Sequence, residues 1–346
     1  MEQHEKYMSR AIELARLGSG KVSPNPMVGC VIVSNDEVIG EGWHRAYGGP
    51  HAEVNAVDDV KDLDQLKDSA LYVTLEPCNH YGKTPPCTDL ILKNEMSKVI
   101  VGSLDPNPLV AGTGIEKLRS AGVEVETNVL KDQCSELNKR FFCFHRKKRP
   151  YVILKWAETQ DGFVARNDFD SKWISSELSR QLVHKWRTEE DAILVGYKTA
   201  FYDNPSLTSR DYFGKNPLRL LIDFNHDLPN TYNLFDGKVK TVVYSVQEKT
   251  SESSKVENSL IRSAHIVDDI LHDLFKKNIL SLIVEGGSKT LSQFIESGNW
   301  DEIRLFRSGK TFEDGIQSPI FEADLQEKYE MDGDELFIYY PRKQKK

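Results

Sequence analysis

Between Lys6 and Leu17 the apolar residues fall at helical spacing, with Met8, Ile12 and Ala15 on one face, Ala11 and Leu14 beside them, and Gly18 closing the pattern. An amphipathic helix over 6–17 is predicted. Ser23-Pro24-Asn25-Pro26 is a stiff turn into the apolar run 27–33, which hairpins through Asn35-Asp36 into a short strand over 38–42. After Gly48-Gly49-Pro50 a short helix over 51–57 is expected, then a strand at 70–75, a long loop to Cys87 and a helix at 88–93. Strands at 99–102 and 123–126, a helix at 115–120 and a last helix over 131–142 continue an alternation that builds an α/β layered sheet. Beyond the basic His145-Arg146-Lys147-Lys148-Arg149-Pro150, strands at 151–157, 192–195, 219–222, 239–244 and 280–284, separated by helix-compatible stretches such as 176–187, predict a second α/β unit. The basic run reads as a solvated linker, and the domains as 1–148 and 149–346.

A chain of 346 residues with 39% hydrophobic content can bury two cores. The formal net charge of -8 offers no positive field to a nucleic-acid backbone or an anionic membrane, so a small-molecule substrate is expected, with no nucleic-acid or membrane partner. Five cysteines, an odd number with two in a metal-binding pattern, argue against a disulfide framework and for a reducing compartment. With no basic and apolar leader at the start and no run of about eighteen apolar residues, the chain reads as cytoplasmic.

The chemistry gathers between His51 and Cys87. One imidazole, His51, and two thiols, Cys78 and Cys87, suit Zn2+ and leave its fourth tetrahedral position open, unlike a closed structural site. Glu53, two residues after His51 near a helix start, faces that position as a proton carrier rather than a ligand. The set follows the H-x-E and P-C pattern of zinc deaminases, but the interval between the cysteines is stretched to Asn79-His80-Tyr81-Gly82-Lys83-Thr84-Pro85-Pro86. A loop inserted at an active-site mouth is suited to reading substrate. Ligands in open α/β sheets collect at the carboxyl ends of strands, where Pro77-Cys78 and Asp105-Pro106-Asn107-Pro108 both fall. Asn25 is either a turn former between prolines or an amide reading a pyrimidine edge or a sugar hydroxyl. In the second unit, Val284-Glu285-Gly286-Gly287-Ser288-Lys289-Thr290 takes a buried strand through glycines into a helix. That is either a plain tight turn or a dock for a phosphate or pyrophosphate. No G-x-G-x-x-G or Walker sequence accompanies it.

Taken together, Ser23-Pro24-Asn25-Pro26-x-Val28-Gly29, His51-Ala52-Glu53-Val54, the long Pro77-Cys78-Asn79-His80-x-Gly82-Lys83-Thr84-Pro85-Pro86-Cys87 and Asp105-Pro106-Asn107-Pro108 resemble the bifunctional riboflavin-biosynthesis deaminase/reductase family. The resemblance continues through Lys155-x-Ala157, Asp161-Gly162, Ser171-x-Trp173-Ile174, Asp203-x-Pro205-x-Leu207-Thr208-x-Arg210 and Glu285-Gly286-Gly287, and loosens after about residue 300. It implies two three-layer α/β/α domains, the first cytidine-deaminase-like and the second dihydrofolate-reductase-like. The first would replace the 2-amino group of 2,5-diamino-6-(5-phosphoribosylamino)pyrimidin-4-one with oxygen, and the second would use NADPH to reduce the opened ribose to a ribityl chain. The family's zinc ligands fall on His51, Cys78 and Cys87, its proton donor on Glu53, and its deaminase substrate contacts on Asn25, His80, Lys83, Asp105 and Asn107. Its reductase substrate contacts fall on Ser171, Arg187, Leu207, Arg210 and Glu285, and its cofactor contacts on Ala157, Trp173, Thr199, Asp203 and Gly287.

Each reductase assignment competes with a plainer one. Trp173 and Leu207 serve equally as core residues, and Arg187 at a helix end complements the helix dipole. The loop of Asp203, Thr208 and Arg210 is poor core material and good phosphate-binding material. Two departures stand out: Phe224 follows Asp223 where the family commonly has a small hydroxyl residue, and 304–320 matches poorly. The rival reading is a single-function zinc deaminase of nucleobases or tRNA, with a non-catalytic second half that binds or oligomerises. A homo-oligomer is expected under the main reading.

Overall fold

The computed structural model describes residues 2–81, 85–107, 110–171, 174–250 and 253–342, and the chain divides into two compact units, Met1–Lys148 and Arg149–Lys346. The first unit runs α1 (Glu2–Arg16), β1 (Gly29–Ser34), β2 (Glu37–Trp43), α2 (Ala52–Asp59), β3 (Ala70–Leu75), α3 (Cys87–Lys93), β4 (Lys98–Ser103), α4 (Thr113–Ser120), β5 (Glu124–Thr127), α5 (Lys131–Leu137) and α6 (Lys139–Lys147). The β1/β2 hairpin turns on Asn35 and Asp36 at φ 49 and 64, residues that tolerate the left-handed conformation a tight hairpin demands.

Strand order is β2-β1-β3-β4-β5, with β3, β4 and β5 parallel. Alternation along the strands sends Cys30, Ile32, Leu71, Val73, Val99 and Val101 toward Ala52 and Ala56 of α2, Ile91 of α3 and Leu118 of α4. The residues between them, Val31, Val33, Tyr72 and Ile100, meet Met8, Ala11 and Ile12 of α1 and Cys134 of α5. Period two in the strands thus makes three layers. A Cβ at Gly42 would stand 2.3 Å from the Ala56 amide nitrogen, so glycine there lets α2, the helix that carries Glu53, lie flush on β2.

The helix expected over 131–142 is two helices. Asn138 (φ -110, ψ 25) breaks it, because its side chain accepts from the Met27 N–H (2.8 Å) and donates to the Met27 carbonyl (2.8 Å). The basic run is solvated only in part: Arg146, Lys147 and Lys148 are exposed, and Arg149 and Pro150 are buried. His145, Arg146 and Lys147 form the last turn of α6, where cations complement the helix dipole, and Arg149 is buried against the Asp301 carboxylate at 2.5 and 3.1 Å.

The second unit contains β6 (Tyr151–Glu158), β7 (Phe163–Ala165), α7 (Glu177–Glu189), β8 (Ala192–Gly196), α8 (Tyr197–Asp203), β9 (Leu218–Ile222), β10 (Thr241–Ser245), β11 (Val256–Leu260), α9 (Ile266–Lys276), β12 (Ser281–Val284), α10 (Ser288–Ser297), β13 (Glu302–Ser308), β14 (Ile316–Gln317), β15 (Asp324–Met331) and β16 (Asp334–Tyr340). Its large sheet has the order β11-β10-β9-β8-β12-β6-β13-β16-β15, parallel from β11 to β13 and antiparallel beyond. Ile270 and Leu274 of α9 with Leu291 and Phe294 of α10 cover one face, and Val183 and Trp186 of α7 pack on Phe306, Leu336 and Ile338 on the other. Beyond residue 300, β13 and β16 send Ile303, Leu305, Leu336, Phe337 and Ile338 into the core. Glu302 and Arg304 of β13 are buried but bonded to each other (2.6 Å), and β15 is exposed from Asp324 to Glu330.

Candidate functional site

Two groups of predicted residues gather separately, one in each unit. In the first, His51 caps α2 in extended conformation (φ -70, ψ 164), Glu53 lies in the first turn, Cys78 follows β3, and Cys87 opens α3 after the cap residue Pro86. His51 Nδ1 stands 3.3 Å from Cys87 Sγ and 3.5 Å from Cys78 Sγ, and all three donor atoms lie within 4.8 Å of one another. Zinc bonds of about 2.0–2.3 Å in a tetrahedron space neighbouring ligand atoms by about 3.5 Å, so the dimensions of this set fit the ion. The Cys87 N–H also donates to Cys78 Sγ (3.3 Å). Without a metal, hydrogen bonds from the Cys87 thiol and then the His51 ring outweigh burial and hold the Cys78 thiol down at about 4, while Cys78 lifts His51 to about 9. Donating to Cys78, and buried, Cys87 is raised in turn, so without a metal the thiolate, the form that binds metal, is favoured on Cys78. Glu53 is buried, and burial followed by the Cys78 charge raises its carboxyl.

Some of the other positions named from the sequence lie near this cluster: Asp105 feels the charges of His80 and Cys78, and Asn25 reaches His44, whose ring meets that of His51. β3 and β4 are parallel, and the Glu76 N–H donates to the Ser103 carbonyl (2.9 Å), which sets the exits toward Cys78 and Asp105 side by side. Asp105 is half-buried, burial lifts its carboxyl to about 6, and it accepts from the Asn107 N–H at 2.7 Å. Asn25 is half-buried and His80 exposed; Lys83 lies outside the described residues.

Two residues here were given no role from the sequence. Glu76 is buried, and its carboxylate accepts from the N–H groups of Asp105 (3.3 Å), Gly112 (3.0 Å) and Gly114 (3.1 Å), tying the segment that carries Cys78 to the loop that carries Asp105 and Asn107. An acid between an apolar strand and Pro77-Cys78 was the available signal. His44, also buried, stands 3.0 Å from the Asn25 amide, and a lone histidine in a loop gave no signal at all.

In the second unit a cavity of about 770 Å³ is lined by Ala157, Ser171, Arg187, Thr199, Asp203, Leu207, Arg210, Glu285 and Gly287, so every described reductase position named from the sequence reaches it; Trp173 lies outside the described residues. Parallel pairing of β12 with β8, and the Glu285 N–H on the Leu194 carbonyl (2.9 Å), bring Glu285 to the rim. Arg187 of α7 grips it with two hydrogen bonds and also reaches the Thr208 carbonyl (3.1 Å), while Lys155 Nζ stands 3.6 Å from the same carboxylate. Burial alone would raise Glu285, but the Arg187 and Lys155 charges outweigh it and hold the carboxyl at about 2. Lys155 is itself lowered by burial despite Glu285.

Ser171 Oγ donates to Asp203 (3.3 Å). Leu207 is both core and lining, at 2% exposure with φ 51. Gly287 caps α10 at φ 63, a conformation that strains other residues. Lys155 and His184 line the cavity and were given no role there from the sequence, although Lys155 belongs to the Lys155-x-Ala157 match. Phe224, the departure beside Asp223, lines the cavity too, and so does Ile316 from the poorly matching 304–320.

Comparison with known proteins agrees with this division. Residues 1–103 match the cytidine and deoxycytidylate deaminase zinc-binding region, and residues 150–322 match the RibD C-terminal domain. The riboflavin biosynthesis protein RibD of Aquifex aeolicus is 37% identical over 354 residues, covering 99% of both chains. The chain belongs to the RibD family. The RibD protein of Bacillus amyloliquefaciens is 43% identical, over 87% of this chain and 83% of its own. Among solved structures, the Thermotoga maritima diaminohydroxyphosphoribosylaminopyrimidine deaminase/5-amino-6-(5-phosphoribosylamino)uracil reductase superposes with a TM-score of 0.92 at 38% identity, covering 99% of both chains. Acinetobacter baumannii RibD follows at 0.90 and 33%, again over 99% of both. RibD membership makes this a bifunctional riboflavin-biosynthesis enzyme, a zinc-dependent deaminase joined to an NADPH-dependent reductase, and sets aside a single-function deaminase with an inert second half.

Proposed function

We propose that the first unit deaminates 2,5-diamino-6-(5-phosphoribosylamino)pyrimidin-4-one and the second reduces the ribosyl chain of the product, with the residue roles that follow. The observation that carries this reading is the pairing on one chain of a three-ligand cluster beside buried Glu53 with a cavity whose Glu285 is clamped between two cations.

His51, Cys78 and Cys87 hold zinc, which when bound supplies the Lewis acidity that makes water a nucleophile near neutral pH. Glu53 takes a proton from the attacking water and delivers it to the departing amine, so that water is consumed and ammonia leaves. Asn25, His80, Asp105 and Asn107 orient the pyrimidine and its sugar, and Lys83 meets the phosphate as a point charge. In the second unit NADPH, when bound, supplies the hydride. Gly287 leaves room at the start of α10 for its phosphates, and Ala157, Thr199 and Asp203 line its path; Trp173 is assigned to the cofactor by the family resemblance alone. Arg210 binds the substrate phosphate, and Ser171, Arg187, Leu207 and Glu285 fix the rest of the substrate so that its sugar carbon meets the nicotinamide.

No helix among the described residues is long and apolar enough to cross a membrane, and the five cysteines are free, which supports a cytoplasmic enzyme. A homo-oligomer is part of the same reading, and light scattering on the eluted protein tests it. The function itself is tested by a coupled assay with the diaminopyrimidine. Ammonia released without NADPH, followed by NADPH oxidation on the deaminated product, is expected; ammonia release without any later NADPH oxidation would remove the second half of the proposal.

A further inference from the structure

His44 is buried at 3% exposure beside the metal cluster, its ring edge-on to that of His51 with 5.8 Å between centroids. Its Nδ1 stands 2.9 Å from the Pro50 carbonyl oxygen, and its Nε2 stands 3.0 Å from Asn25 Nδ2. A backbone carbonyl only accepts, so Nδ1 carries the ring proton. The nitrogen of the Asn25 amide only donates, so Nε2, which it faces, presents its lone pair. The NH2 end of the Asn25 amide is the donor that lone pair meets, which leaves Oδ1 at the other end.

The rest of Asn25 is equally constrained. Its N–H donates to the Val22 carbonyl (2.8 Å), and two residues on, Met27 is held through both backbone polar groups by Asn138. Among the described residues no donor reaches Asn25 Oδ1. An asparagine amide free to turn can meet either a donor or an acceptor, whereas one fixed at both backbone and side chain discriminates between them.

We infer that His44, held as the Nδ1–H tautomer between Pro50 and Asn25, commits Asn25 to accept a hydrogen bond, so that the deaminase selects a substrate bearing a hydrogen-bond donor at that point. The inference rests on the deaminase reading above and adds His44 to it as a positioning residue. A site built to accept from a substrate N–H or O–H rejects a ligand that presents an acceptor there, because two acceptors are then left facing each other.

Three substitutions separate this role from simple packing. In His44→Gln the side-chain Oε1 falls where Nε2 stands and keeps an acceptor for Asn25. In His44→Asn only the donor to Pro50 is replaced, and in His44→Phe only the ring shape is. Measured on the full-length zinc-loaded enzyme, His44→Asn and His44→Phe are expected to raise the deamination KM about tenfold with kcat, zinc content and NADPH oxidation little changed, and His44→Gln to recover most of that loss. Nitrogen-15 spectra of the histidine-labelled enzyme, with the His44 signals assigned from their loss in the variants, are expected to show Nδ1 protonated and Nε2 bare. Recovery by His44→Asn equal to that by His44→Gln, or a protonated Nε2, would overturn the inference. A wild-type enzyme that leaves the diaminopyrimidine unchanged would overturn the deaminase reading instead, and the nitrogen spectra would still decide the tautomer.

Discussion

Arg187 holds Glu285 through Nε at 2.9 Å and Nη2 at 2.8 Å, a two-pronged pair between residues 98 positions apart. The pair joins α7 to the exit of β12 and is only 12% and 6% exposed at its two side chains. Removing one partner of such a pair leaves the other buried and uncompensated. Arg187→Ala is therefore expected to destabilise the second unit by about 3–5 kcal/mol and to stop NADPH oxidation, as read by denaturant unfolding and by a reductase assay. The acid dependence follows from the depressed carboxyl: its stabilisation is present above the unfolded value near ~4.3 and lost as pH falls toward about 2, so wild-type stability should fall with acid more steeply than that of the variant. Equal slopes in the two proteins would mean that Arg187 does not set the Glu285 carboxyl.

At the metal cluster, Cys87→Ser replaces a thiolate by a poorly coordinating hydroxyl, and zinc content is expected to fall from about one per chain toward zero. Elemental analysis after dialysis against a weak chelator reads this directly. Undiminished zinc would place the third ligand elsewhere.

Glu76 contacts no reacting atom in this account, yet its carboxylate gathers three N–H donors from the loop bearing Asp105 and Asn107. In Glu76→Gln one acceptor oxygen becomes an NH2 group facing backbone donors, and the loop loses its anchor. The expected result is a rise in deamination KM of about tenfold or more, with reductase activity intact. An unchanged KM would show that the loop holds its shape without the anchor.

Much of the deaminase half could be read from the sequence because its chemistry is local. His51 and Glu53 share the start of one helix, and Cys78 and Cys87 flank one loop, so motif and geometry nearly coincide. The reductase half is different: Lys155, Arg187 and Glu285 come from three distant elements, and only the parallel pairing of β12 with β6 and β8 reveals that they share one carboxylate. The basic stretch misled at its end, because charge density was read as exposure throughout, whereas Arg149 has a buried acid to meet in Asp301. One late strand went unseen for the opposite reason: β15 buries too little to leave an alternating pattern.

Acid–base work in the first unit and phosphate anchoring in the second can be separated by one substitution in each. Glu53→Gln keeps the shape of the side chain but cannot carry a proton, so zinc should stay bound while deamination falls by about 10²–10⁴-fold or more. That variant should still oxidise NADPH when given substrate already deaminated, because the two units have their own hydrophobic cores and the reductase cavity is lined wholly by residues after 150. Arg210→Ala should do the reverse. Its side chain is more than half exposed at the cavity and its nearest ionic neighbour, Asp211, is 3.6 Å away, so its loss costs little stability but removes a charge-assisted hold on the substrate phosphate. Without that hold the sugar carbon is no longer delivered to the nicotinamide in one orientation, and NADPH oxidation at subsaturating substrate should drop by about a hundredfold while ammonia release continues. If Arg210→Ala oxidises NADPH at the wild-type rate under those conditions, the phosphate sits elsewhere in the cavity. If each variant loses both activities, the halves do not work independently, and a boundary near residue 148 divides the contacts of the chain without dividing its function.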